Sequence, residues 1–225
     1  MTASLSHEGP WYRGPAFLMT VALVAFYVSS SFTDDPGVPM TMMNALATAV
    51  VLLGLRAFTR SRRAFRVGVG LTVAFVVASA VAQNTSRDFD ERANTLFVLL
   101  FFALMLLAMA KVVFQAEDIT VDKIFAAACV YMLLGICFGL VFLVIEQTYP
   151  GSFTLSSSDA SNLPGALVHF SFTTLTTVGY GSISPVSSVA RSLSDMEAVV
   201  AQLYLAIVVA RLVSLQLTQG RVEGD

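Results

Sequence analysis

Long apolar stretches alternate with short polar ones along the whole chain. A bilayer core of about 30 Å is crossed by roughly 20 helical residues, and six stretches approach or exceed that length. They comprise residues 15–32, 39–55, 67–83, 95–115, 124–145 and 189–217. A seventh stretch, Leu163–Leu175, is too short to cross. The pattern predicts an all-α membrane protein with six transmembrane helices and one re-entrant helix.

Composition supports this class and excludes others. The chain is 56% hydrophobic and 12% charged, whereas a soluble domain has about 25% charged residues. A net charge of −2 offers no basic surface for nucleic acid. Cys129 and Cys137 lie eight residues apart in one apolar stretch, which places them too far apart on a helix for a disulfide. We interpret both as buried thiols without a metal or redox role.

The arginines predict the orientation. Five of them lie between the second and third apolar stretches without an intervening acid: Arg56, Arg60, Arg62, Arg63 and Arg66. Cytoplasmic loops carry such an excess of basic residues. Alternation then puts both termini in the cytoplasm, and a loop at residues 87–92 and the segment 146–163 outside. The sequence therefore predicts a multi-pass protein of the cell (plasma or inner) membrane.

The first apolar stretch has a second interpretation. Its apolar core is followed by Ser29, Ser30 and Ser31, and small residues after an apolar core are also typical of a cleaved signal peptide. The stretch is long for the core of such a signal. Cleavage would leave the orientation of the other helices unchanged.

The short apolar segment leads into an unusual loop. Ser161 or Asn162 is expected to cap this helix, and Pro164 lies in its first turn, where proline is tolerated. Thirteen residues form about 19 Å of helix, roughly half a membrane, and the carbonyl end of a helix favours a cation. The residues that follow are Thr-Thr-Val-Gly-Tyr-Gly, at positions 176–181. Irregular backbone at this depth persists only when it is buried in protein or lines an aqueous path.

From about residue 124 to residue 217 the chain resembles the pore module of tetrameric potassium channels. That module consists of an outer helix, a re-entrant helix, a filter and an inner helix. The resemblance is most specific over residues 172–181, and residues 197–213 resemble the inner helix of many small bacterial ion channels. It implies that backbone carbonyls bind K⁺ in place of its hydration shell. The implied filter is Thr177, Val178, Gly179, Tyr180 and Gly181, with K⁺ at the first four and the Thr177 hydroxyl closing the inner site.

Backbone geometry adds an expectation for this loop. Successive carbonyls point the same way only when the backbone alternates in hand, and Gly179 and Gly181 adopt positive φ without steric cost. One chain contains one filter segment, so a closed ring needs several copies, most simply a homotetramer.

The resemblance also implies a domain organisation. Residues 1–116 would form a four-helix domain with the topology of a voltage sensor, 117–123 an interfacial linker, 124–217 the pore domain and 218–225 a short cytoplasmic tail. The expected function is passive K⁺ conduction by a protein surrounded by lipid. We expect no enzymatic activity, no organic cofactor, no nucleic acid partner and no cytoplasmic ligand-binding domain.

Two other functions stay open at this stage. One is a potassium uptake transporter subunit that needs a partner, although such proteins usually hold four imperfect filter loops in one chain. The other is a channel-like regulatory subunit that assembles without conducting.

The sequence departs from the family pattern around the filter. Ser182 stands where most relatives have Asp, and Thr173 stands where some have Glu. We therefore expect the loop to be braced by packing and by hydroxyl groups. The proposed filter supports are Thr173, Thr174, Thr176, His169, Phe170, Ser182 and Glu197. His169 is interpreted as a neutral hydrogen-bond donor or a proton sensor, and Glu197 as a brace behind the re-entrant helix or a titrating group.

The inner helix supplies the candidates for a cavity and gate. It has no glycine over residues 189–217, and Ala201 stands where many relatives have a hinge glycine. Helical spacing aligns one stripe: Gln202, Leu205, Ala206, Val209 and Val213. The alternative is that part of this stripe packs on the outer helix.

We predict weak or absent voltage dependence from the first four helices. A voltage sensor needs several arginines at three-residue spacing in one span, whereas residues 95–115 contain only Lys111, and residues 39–55 and 67–83 contain no acid. Single-channel recording across a range of potentials tests this. An open probability that rises steeply with depolarisation would contradict it, unless the filter itself gates.

Overall fold

The computed structural model describes residues 15–30, 87–115 and 121–222. These ranges form six α-helices and two short strands. In chain order they are α1 (Pro15–Ser30), α2 (Arg87–Gln115), α3 (Val121–Thr148), β1 (Phe153–Thr154), α4 (Ser157–Ser161), α5 (Leu163–Leu175), β2 (Ser184–Pro185) and α6 (Ser188–Val222). The second and third predicted spans, residues 39–55 and 67–83, lie outside the described residues.

Three described helices are long and apolar enough to cross a membrane. They are Arg92–Phe114 in α2, Val121–Thr148 in α3 and Ser188–Ser214 in α6, which correspond to the predicted fourth, fifth and sixth spans. Shorter apolar stretches are Ala16–Ala25 and Leu163–Leu175. The described part of the chain is therefore that of a helical membrane protein, and the total of six spans stays a prediction.

Three predicted boundaries differ from the structure. The loop expected at residues 87–92 is the start of α2, the end of the 117–123 linker belongs to α3, and α6 runs through most of the predicted 218–225 tail. Apolar patterning marks the stretch that lies in lipid, whereas backbone hydrogen bonding lets a helix continue into polar sequence. At the start of α3, Asp122 also accepts the Ala16 N–H at 3.1 Å, which ties this end to α1.

Helix α3 lies at the centre of the described structure, in contact with α1, α2, α5 and α6. Met19 of α1, Met109 of α2 and Leu133 of α3 are all fully or almost fully buried in one apolar core. The Thr20 hydroxyl of α1 lies 3.2 Å from the Phe125 carbonyl oxygen of α3. Cys129 and Cys137 are free and buried, which confirms their interpretation as buried thiols.

Two glycines of α3 set its distance to α5. A Cβ on Gly139 would lie 2.7 Å from the Val168 Cα, and a Cβ on Gly135 would lie 2.9 Å from the Phe172 ring. Residues four apart share one helix face, so the two glycines form a small-xxx-small contact of the kind that lets membrane helices approach closely. Helix α5 therefore lies against bare backbone of α3.

A small ribbon joins the segments on either side of α5. Phe153 pairs with Pro185 and Thr154 with Ser184 in an antiparallel arrangement. The Phe153 ring packs edge-on against Phe142 of α3 and Phe170 of α5, with centroids 5.4 Å apart in each case. The chain before α5 and the chain after the loop are thus held together at one end of α3.

We predict that Gly139→Ala lowers stability. Alanine is intrinsically favoured over glycine in a helix by about 1 kcal/mol, but its Cβ meets the backbone of Val168, and overpacking costs about 1–3 kcal/mol. The thermal unfolding midpoint of the purified protein should therefore fall. Ala93→Leu on the exposed side of α2 serves as the control and should leave the midpoint unchanged. An unchanged or raised midpoint in Gly139→Ala would contradict the close contact.

Candidate functional site

Helix α5 begins at a capped turn and spans the predicted residues. The Asn162 side chain accepts the Gly165 N–H at 3.2 Å, and Pro164 lies in the first turn. Of the two expected caps, Asn162 therefore takes the role, while the Ser161 hydroxyl donates to the Ser158 carbonyl at 2.7 Å. The helix has thirteen residues and ends at Leu175, as the apolar pattern predicts.

The preceding helix α4 carries a capping box. The Ser156 hydroxyl donates to Asp159 at 2.6 Å, and the Ser156 N–H donates to the same carboxylate oxygen at 3.1 Å. These bonds lower the pKa of Asp159 below its ordinary value. Because the pKa is lowered in the folded chain, the stabilisation by the ionised Asp159 is fully present above the ordinary aspartate pKa and is lost as the pH falls through the folded value.

The loop after α5 alternates in backbone hand. φ is +60° at Thr177, +55° at Gly179 and +77° at Gly181, whereas Val178 and Tyr180 have no positive φ. The positive φ expected at the two glycines is confirmed, and Thr177 adds a third. Left-handed backbone costs a non-glycine residue about 1–2 kcal/mol, so the surroundings must hold Thr177 in place.

The N–H groups of the loop bond back to α5. The Thr177 N–H donates to the Thr174 carbonyl at 3.0 Å, and the N–H groups of Val178 and Gly179 donate to the Thr173 carbonyl at 2.9 and 3.1 Å. Among the described residues, none donates a hydrogen bond to the carbonyl oxygens of 177–180. The loop is therefore attached to α5 through its N–H groups, while its carbonyl oxygens accept no hydrogen bond from the described residues.

Threonine hydroxyls do not make these contacts. The Thr173 hydroxyl donates to the Phe170 carbonyl at 2.8 Å, and the Thr176 hydroxyl donates to the Phe172 carbonyl at 2.6 Å. Threonine in a helix commonly bonds to a carbonyl of its own preceding turn. Thr173 and Thr174 do hold the loop, as expected, but through their backbone carbonyl oxygens and not through the hydroxyl groups that the sequence suggested.

Two tyrosines tie the pore-side helices together. The Tyr131 hydroxyl of α3 donates to the Leu175 carbonyl at the end of α5 at 2.9 Å, and the Tyr204 hydroxyl of α6 donates to the Ala127 carbonyl at 2.7 Å. Their rings stack with centroids 6.2 Å apart. Sequence reasoning missed both, although a tyrosine in an apolar span signals a polar tip that needs a partner.

Glu197 lies behind α5, as predicted for a brace. It is fully buried, its carboxyl contacts the Ser171 hydroxyl, and that hydroxyl also lies 2.7 Å from the Gly135 carbonyl oxygen. The predicted hydrogen bond to the back of the re-entrant helix is confirmed. Ser171 was missed, although a serine in an apolar half-length helix is a visible signal.

The remaining filter supports occupy different environments. The His169 ring stacks on Tyr180 with centroids 6.1 Å apart and planes 8° apart. Phe170 is buried between Phe142 and Phe153, so it packs α5 against α3 and β1. Ser182 is exposed after the loop.

The predicted cavity stripe faces away from α3. Its five members are all exposed in the single chain: Gln202, Leu205, Ala206, Val209 and Val213. The buried face of α6 is instead formed by Ala201, Tyr204 and Val208. The alternative that the stripe packs on the outer helix is therefore wrong.

A comparison with protein families gives a match in the second half of the chain. Residues 141–216 match a family model described as an ion channel. Over these residues the chain is similar to an ion channel domain. The matched residues run from the end of α3 through α5 and the loop into α6. Comparisons with curated proteins and with solved structures found no match.

We predict that Tyr131→Phe destabilises the end of α5. It removes the hydroxyl that donates to Leu175, and a buried hydrogen bond contributes about 0.5–1.5 kcal/mol. The thermal unfolding midpoint should fall measurably. Tyr149→Phe, at an exposed tyrosine just after α3, is the matched control and should have no effect. Equal midpoints for Tyr131→Phe and the native protein would contradict the assigned bond.

Proposed function

We propose that this chain is the subunit of a potassium-selective channel that conducts K⁺ passively as a homotetramer. The carbonyl oxygens of Thr177, Val178, Gly179 and Tyr180 would bind K⁺ in place of its water shell. The protein would be a multi-pass protein of the cell membrane with cytoplasmic termini and no enzymatic activity.

One observation carries this proposal. The loop combines alternating backbone hand with carbonyl oxygens that accept no hydrogen bond from the described residues. An unpaired backbone carbonyl away from water costs free energy, so this loop needs a ligand or a watery path. A cation on the axis of several such loops meets that need.

The preceding helix supports a cation. Helix α5 points its carboxyl end at the loop, and the partial negative charge at a helix C-terminus stabilises positive charge. The N–H groups of Thr177, Val178 and Gly179 bond to carbonyls of that helix end, so they are turned away from the ion. The carbonyl oxygens of the loop are therefore available to a cation, while these N–H groups are already hydrogen-bonded to α5.

Exposure in the single chain supports several copies around an axis. Val178 is 53% and Tyr180 73% exposed, and the five residues of the predicted cavity stripe on α6 are exposed as well. An apolar surface of this extent on a membrane domain is covered by lipid or by protein. Ring closure by a second, third and fourth copy covers the loop and surrounds a central path.

Ion flux from purified protein in liposomes tests the proposal. We expect K⁺ flux to exceed Na⁺ flux at least tenfold without any added protein. In Gly179→Ala a side chain is forced to φ near +55°, at about 1–2 kcal/mol per copy. Four copies in one ring would share that strain, so selective flux should be lost.

Gly151→Ala is the matched control. Gly151 has φ of +85° in the turn before β1, with open space around its Cβ position, so it suffers the same backbone strain outside the loop. It should retain K⁺ selectivity. Flux only with a partner protein would favour an uptake subunit, absence of flux in an assembled protein would favour a regulatory subunit, and equal Na⁺ and K⁺ flux would refute selectivity.

A further inference from the structure

Two buried glutamates within the matched residues 141–216 meet different partners. Glu146 accepts the Gly151 N–H at 2.7 Å with one oxygen and the Phe153 N–H at 3.0 Å with the other. Glu197 contacts one hydroxyl, that of Ser171, and its Oε2 has no partner among the described residues. Glu197 therefore lacks the donors that a charged carboxylate needs.

The hydrogens around Ser171 can be counted. The Ser171 Oγ lies within hydrogen-bond distance of the Gly135 carbonyl oxygen, at 2.7 Å, and of Glu197 Oε1. A hydroxyl carries one hydrogen and a carbonyl none. With an ionised Glu197, one of the two contacts would join two acceptors without a hydrogen between them. A hydrogen on Glu197 Oε1 completes both bonds.

The surroundings supply no charge that would offset an ionised Glu197. In the described part of the chain no basic group interacts with its carboxyl. From α3 the facing titratable group is Tyr131, whose hydroxyl donates to Leu175, and from α5 the facing group is the Ser171 hydroxyl. A buried carboxylate without a partner is costly, and more so within a membrane. Glu197 is 0% exposed in one chain, so a neighbouring subunit would not reach it.

We propose that Glu197 is a positioning residue that holds a proton. Its neutral carboxyl donates to Ser171, and Ser171 donates to the Gly135 carbonyl, which links α6, α5 and α3 in one chain of hydrogen bonds. Its part in ion conduction rests on the function proposed above, whereas the protonated state does not.

The link lies close to the anchor of the loop. Ser171 precedes by two residues Thr173, whose carbonyl accepts the N–H groups of Val178 and Gly179. Loss of the Glu197 hydrogen would leave Ser171 one hydrogen for two oxygens, and α5 would lose its bond to α3 or to α6. The proton therefore helps to position the last turn of α5, to which the loop is hydrogen-bonded.

Infrared spectroscopy of the purified full chain at neutral pH tests the protonated state. We expect a carbonyl stretching band of a protonated carboxyl that shifts in heavy water and disappears in Glu197→Gln. Glu146→Gln is the matched control at the other buried glutamate and should leave the band in place. Ser171→Ala should keep the band and move it to higher frequency, because the carboxyl loses its acceptor.

Thermal unfolding shows whether Glu197 acts as a neutral hydrogen-bond donor or whether its negative charge is required. The glutamine amide can donate to Ser171 as the protonated carboxyl does, so Glu197→Gln should keep the native midpoint, whereas Glu197→Leu should lower it. A band absent from the native protein, or one that survives in Glu197→Gln, would overturn the proposal. So would a midpoint for Glu197→Gln as low as that of Glu197→Leu.

The outcomes also separate this inference from the proposed function. A Glu197 band in a protein without selective K⁺ flux would refute the channel function and leave the proton in place. Selective K⁺ flux without the band would support the channel function and refute the proton on Glu197.

Discussion

The close contact of α5 with α3 is the constraint on which the position of the loop depends. Gly135 and Gly139 bring bare backbone of α3 against Val168 and Phe172, with no room for a Cβ. Dispersion and short hydrogen-bonded contacts act only at such distances, and in lipid they replace the hydrophobic drive that packs helices in water. Because the loop hangs from the end of α5, its position follows from this contact.

Hydrogen bonds then hold the half-length helix in place. Tyr131 donates to the last carbonyl of α5 and Ser171 lies against the carbonyl of Gly135, so α3 binds α5 along two turns. Tyr204 links α6 to the same central helix. The Leu175 carbonyl lies at the end of α5 without a backbone donor among the described residues, so the Tyr131 hydroxyl satisfies an acceptor that lipid would leave unpaired. Rigidity here explains how Thr177 is kept in a left-handed conformation that threonine does not favour alone.

Two kinds of exposed surface are present in the described part of the chain. Leu100, Leu104 and Leu107 of α2 are exposed at helical spacing, as a lipid-facing stripe is. Val178, Tyr180 and the stripe on α6 are also exposed, but they adjoin a loop whose carbonyls lack donors. The first surface is a stripe of aliphatic side chains only, whereas the second includes backbone acceptors, which is why the proposed function places copies of the same loop around it.

The sequence by itself determined the elements that depend on local chemistry. The extent of α5, its Asn162 cap, the three described spans and the positive φ of the two loop glycines all follow from apolar length, capping preference and the missing Cβ of glycine. The brace from Glu197 was also predicted, because a carboxyl within a span needs a partner. Only the tertiary structure decided which partner it meets, that Thr173 acts through its carbonyl and not its hydroxyl, and that Gly135 and Gly139 face α5. Those choices depend on how the helices are rotated and how closely they approach each other. A membrane helix is apolar on nearly all sides, so its sequence pattern does not show which side faces another helix and which faces lipid.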